Sequence, residues 1–65
     1  MITVNGAAGY DAAGISITAF LEAQGYDTRR IAVGLNETVV PRSEYDSTVL
    51  AEGDRVEIVN FVSGG

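Results

Sequence analysis

Sixty-five residues set the molecule at one small domain. With no Cys and no His, a disulfide or the usual small structural zinc site has no ligands, so stability must come from apolar packing, which 46% hydrophobic content permits. A net charge of −5 argues against nucleic acid as a partner, because phosphate contacts need Lys and Arg.

Met1 leads straight into Ile2-Thr3-Val4 without a basic leader or a long apolar segment. The expectation is therefore no signal peptide, no membrane span and a cytoplasmic location. Ile2-Thr3-Val4 alternates like a strand, and Asn5-Gly6 after it is a strong hairpin signal, since both turn positions need positive φ. A second, weaker strand is expected over about Ala8–Ala12, where only Tyr10 is a good strand former. Ser16 reads as an N-cap, followed by Ile17, Phe20, Leu21 and Gln24 at helical spacing and by Gly25 as the natural stop. Position 19 is Ala, so the reciprocal acid of a capping box is missing.

Ile31-Ala32-Val33-Gly34-Leu35 alternates large and small, Asn36-Glu37 turns the chain, and Thr38-Val39-Val40 runs to the stop at Pro41. Arg42 to Ser47 reads as an irregular connection. Glu52-Gly53-Asp54 forms a turn into the longest strand, Arg55–Val62. The order β-β-α-β-β-β, with one helix to cover one face, predicts an α+β roll. The predicted core is Ile17, Phe20 and Leu21 against Ile2, Val4, Ile31, Val33, Leu35, Val56 and Ile58. Residues 1–62 form the predicted domain and 63–65 a flexible tail, since two glycines hold no fixed conformation unaided.

With His and Cys missing, the commonest general base and the best nucleophile are gone. A binding or carrying role is expected in place of enzymatic activity. In the last strand Val56 and Ile58 share one face, and Arg55, Glu57, Val59 and Phe61 the other. The charges mark that second face as solvent-facing, which leaves Val59 and Phe61 as exposed apolar residues beside the small Ala32 and Gly34. Such a surface, continued by Val62 and Ser63, suits a docking partner. The Gly64-Gly65 end is uninformative by composition alone. In this context the Gly65 α-carboxylate is the candidate reactive group: it is ionised and inert until activated, and a side chain at either position would obstruct threading into a narrow site.

Across essentially its whole length the sequence resembles the ThiS family of sulfur carriers. The resemblance rests on Asn5-Gly6, the helix from Ser16 to Gly25, Arg30 to Asn36, Val39-Val40-Pro41-Arg42-Ser43-Glu44, Gly53 to Val59, and Phe61-Val62-Ser63-Gly64-Gly65. It implies a ubiquitin-like β-grasp, with a mixed sheet of about five strands and one main helix on one face. It implies, further, that a ThiF-like enzyme adenylates the Gly65 carboxylate with ATP, with Gly64 beside it. A persulfide donor then supplies sulfur for a thiocarboxylate, and a ThiG-like thiazole synthase receives it in thiamine biosynthesis. No bound cofactor and no metal are implied. Departures are the Ala- and Gly-rich second strand, Ala19 where an acid is usual, and Ser63 where Gly or Ala is common. The small subunit of molybdopterin synthase, a ubiquitin-like modifier and an interaction domain with an inert tail remain as alternatives.

Overall fold

Two asparagines shape the backbone. Asn5 and Asn36 adopt left-handed conformations (φ 49° and 50°), each followed by a second positive-φ residue, Gly6 at 83° and Glu37 at 71°. Such pairs reverse the chain with the twist that adjacent strands require. The computed structural model describes residues 1–61, and the turns join β1 (Ile2–Val4) to β2 (Ala7–Tyr10) and β3 (Ile31–Leu35) to β4 (Thr38–Val40). The remaining strand, β5 (Arg55–Asn60), lies at the centre of a five-stranded sheet of order β2-β1-β5-β3-β4. Among the described residues only β1 and β5 run parallel, and the other pairs are antiparallel. A mixed sheet carrying one helix is the α+β roll that the sequence predicts.

The helix α1 (Ile17–Gln24) is closed at both ends as expected. The Ala19 N–H donates to Ser16 Oγ at 3.0 Å, while the free N–H groups of Ile17 and Thr18 donate to the carbonyls of Thr48 and Tyr45. At the far end Gly25 takes φ 83°, and the N–H groups of Gly25 and Tyr26 donate to the Glu22 and Leu21 carbonyls. That pattern satisfies carbonyls that would otherwise be orphaned.

α1 buries Ile17, Phe20 and Leu21 against Ile2 and Val4 of β1, Ile31 and Val33 of β3, and Val56 and Ile58 of β5. Tyr10 meets Phe20 edge to face, with ring centroids 6.0 Å apart. Four further residues, Ala12, Val40, Tyr45 and Leu50, belong to the core without having been predicted there. The expected irregular connection holds a 3₁₀ turn at Arg42–Glu44. It folds under the start of α1, where a bridge between Ser16 and Val49 turns Leu50 inward.

Three expectations need correction. The second strand is Ala7–Tyr10 and not Ala8–Ala12: a register shift opposite Ile2/Thr3 and Gly9 at φ 107° form a bulge, after which Ala12 leaves the sheet for the core. Leu35 is only half-buried, because it is the last residue before the Asn36-Glu37 turn at the sheet margin. The last strand ends at Asn60, although the Phe61 N–H still donates to the Arg30 carbonyl at 2.7 Å.

Candidate docking face

The side of the sheet away from α1 is built from the outward positions of β3, β4 and β5. Registration places Val39, Gly34 and Glu57 in one cross-strand row and Ala32 opposite Val59 in the next. Because Ala32 and Gly34 are small, the centre of the face is low and its flanks stand up. The result is a shallow groove of about 220 Å³ between Val39 and Val59, with Glu37 and Glu57 toward one end. Val39, Val59 and Phe61 are 74%, 58% and 54% exposed. Val39 and Val59 line the groove and Phe61 follows β5, which makes this face a candidate interaction surface.

The structure thus brings together Ala32, Gly34 and Val59 as the sequence predicts, with Phe61 following directly from β5. Val39 was not foreseen. Its signal was the Val39-Val40 pair, since two consecutive strand residues face opposite ways; pairing of Val40 with Val33 settles which one turns inward. A methyl group added at Gly34 would meet the Thr38 carbonyl and Glu57 only at 3.8–4.0 Å, so the fold tolerates Ala there. Glycine at 34 serves the depth of the groove. Val62, Ser63, Gly64 and Gly65 lie outside the described residues.

Beside the groove Glu37 pairs with Arg55 at 2.9 Å, and Glu57 also lines it. Near the end of β5, the Arg30 carbonyl receives the Phe61 N–H, the Arg30 guanidinium pairs with Asp27 at 3.6 Å, and Arg42 Nη2 donates to the Arg29 carbonyl at 3.3 Å. Asp27 accepts from the Arg29 backbone N–H and from its guanidinium, and these bonds hold its carboxyl below the usual value. Among the described residues no group of three or more acidic side chains gathers in a way that could hold a metal, and no helix is long and apolar enough to cross a membrane.

The sequence pattern of the ThiS family matches residues 2–65. The chain belongs to the ThiS family. The ThiS fold accounts for the architecture as well: the crystal structure of the thiamine biosynthesis protein ThiS from Geobacter metallireducens superposes with a TM-score of 0.81 at 34% identity, covering 98% of this chain and 97% of that one. The solution structure of a thiamine biosynthesis protein from the same organism gives 0.79, with 98% and 86% covered. The β-grasp expected from the resemblance is therefore the fold. Thiazole synthases of Paramagnetospirillum magneticum and Magnetococcus marinus are each 36% identical over 64 residues. This ThiS-family chain spans 98% of its own length in those matches but only 20% of theirs.

Proposed function

We propose that this chain is a sulfur carrier of thiamine biosynthesis, working in the cytoplasm as a co-substrate of partner enzymes, with the Gly65 carboxylate as its reactive group. The observation that carries the reading is the ThiS-family match over residues 2–65, which includes Gly64 and Gly65. The outer face of the sheet, where Val39 and Val59 are exposed beside a shallow groove, supports the reading as a surface on which a partner could dock.

A carboxylate with a pKa of about 3.3–3.7 is a poor electrophile at neutral pH. A ThiF-type partner would let a Gly65 oxygen attack the α-phosphorus of ATP, releasing pyrophosphate and forming an acyl adenylate. The outer sulfur of a donor persulfide then attacks the acyl carbon and AMP leaves, giving an acyl disulfide. A thiol reductant cleaves its S–S bond and leaves the thiocarboxylate on Gly65. Thiazole synthase is the proposed sulfur acceptor, because two proteins of that name contain a segment similar to this whole chain. Val59, Phe61 and Val39 would seat the chain on its partner, with Val62 and Ser63 leading Gly64-Gly65 toward the ATP site.

Intact mass after incubation with ATP, the cognate adenylating enzyme and a persulfide donor tests the proposal. Replacement of the terminal hydroxyl oxygen by sulfur is the expected result. Attachment to lysines of other proteins would establish a modifier in its place, and an unchanged mass would refute the carrier reading.

A further inference from the structure

β1 ends at Val4, yet its neighbour β5 continues to Asn60. The parallel ladder runs from the Thr3 N–H to the Asp54 carbonyl (3.0 Å) and from the Asn5 N–H to the Val56 carbonyl (2.9 Å). Its next rungs would need the carbonyl of residue 5 and the N–H of residue 7, both carried away by the left-handed turn at Asn5-Gly6. The Asn5 side chain replaces both. Its Oδ1 accepts from the Ile58 N–H at 2.7 Å, and its Nδ2 donates to the Ile58 carbonyl at 3.2 Å.

Asn36 makes a related arrangement on the other edge of β5, at the entry end. Its N–H donates to the Arg55 carbonyl at 2.8 Å and its Oδ1 accepts from the Arg55 N–H at 2.9 Å. One amide therefore holds the first residue of β5. The other holds Ile58, immediately before Val59 and three residues before Phe61.

We infer that Asn5 is a positioning residue for delivery of the reactive carboxylate: by completing the β1 side of β5 at Ile58, its amide fixes the direction in which the chain leaves the sheet through Val59, Asn60 and Phe61. This rests on the carrier reading. Beyond Val56 no backbone group of β1 remains to hold that side of the strand, so without the amide β5 is tied at its exit only to β3. Gly65 is the fourth residue after Phe61, a reach of at most about 14 Å. A change of direction at Ile58 shifts the point from which those last residues start, and displacements of about 1 Å can lower an oriented reaction by orders of magnitude.

The paired variants Asn5→Gly and Asn36→Gly provide the test, since glycine suits both left-handed positions and removes only the amides. Pyrophosphate release with the adenylating enzyme, measured well below both unfolding midpoints, should show kcat lowered about tenfold for Asn5→Gly with KM nearly unchanged. Asn36→Gly should retain kcat. Amide hydrogen exchange, which needs no partner, should be faster by about fivefold at Ile58 and Phe61 in Asn5→Gly, and at Arg55 alone in Asn36→Gly. An unchanged kcat in Asn5→Gly, or an equal loss in both variants, would overturn the inference. If the parent chain is not adenylated at all, the carrier reading fails, and the exchange pattern alone decides whether Asn5 sets the path of the strand exit. Unchanged Phe61 exchange in Asn5→Gly would then reject it.

Discussion

Ile58 and Val59 are consecutive residues of β5 with opposite assignments, so truncating each separates the core from the docking face. Ile58 is 7% exposed and packs beneath α1. Ile58→Ala should cost about 2–5 kcal/mol, the range for a large aliphatic side chain removed from a closed core. Total stability for a chain of this length is about 3–10 kcal/mol, so this variant approaches unfolding at room temperature. Val59 is already 58% exposed. Full burial of a valine contributes about 1.5–3 kcal/mol, so the part lost in Val59→Ala is about 1 kcal/mol or less. Urea unfolding followed by circular dichroism should place the Val59→Ala midpoint near that of the parent with the same slope. Calorimetric titration with the adenylating enzyme should show weaker binding, and weaker still for Val59→Asp and Phe61→Ala. If Val59→Ala were as destabilising as Ile58→Ala, the facing of β5 would be wrong. If both Val59→Asp and Phe61→Ala bound like the parent, the outer face would not be the docking surface.

Deleting Gly65, or adding one residue after it, should abolish thiocarboxylate formation by intact mass and leave the thermal midpoint unchanged, since among the described residues the buried cluster runs from Ile2 to Ile58. Ser16→Ala removes the acceptor for the Ala19 N–H and should lower stability by about 1 kcal/mol in urea unfolding. Glu37 holds φ 71° without being glycine. Glu37→Gly should raise stability by about 1 kcal/mol, because relief of the left-handed backbone outweighs loss of one exposed ion pair. The lowered Asp27 pKa means that its contribution is present above the unfolded carboxyl value and is lost as pH falls through the lower folded one. An NMR titration of the Asp27 carboxyl should show this, and Arg29→Ala should move the midpoint only part of the way back, because the backbone N–H remains.

Elements with a local signature were legible in the sequence. Ser16 and Gly25 bracket α1 through groups whose chemistry is carried by residue type, and the Asn-Gly turn and the β3 alternation are equally local. What escaped was fixed by pairing. Tyr45 and Leu50 are buried because backbone carbonyls of Tyr45 and Thr48 satisfy the start of α1, and any residue can offer a carbonyl. Val39 and Val40 are indistinguishable until β4 registers against β3. The outward placement of Ala32, Gly34 and Val59 was readable from alternation along two strands, whereas Glu37 joins the groove only through a turn conformation that its residue type does not announce.

The position of β5 explains how one short strand could serve both the core and the proposed carrier role. An edge strand is hydrogen-bonded on one side and frays at low cost, whereas a central strand must break two ladders to move. Here the strand that leads to Gly64-Gly65 is central, with β3 paired along its length on one side and β1 on the other. Its inward residues Val56 and Ile58 are locked under α1, which fixes Val59 on the outer face one residue later. The proposed docking through Val39, Val59 and Phe61 would thus act on a strand held from both sides, with the proposed reactive carboxylate four residues beyond Phe61. The parallel β1 ladder is the weak point, because β1 turns away after Val4, and Asn5 supplies the missing rungs at that place. A side chain on the first turn of the fold thereby becomes part of how its last strand is aimed.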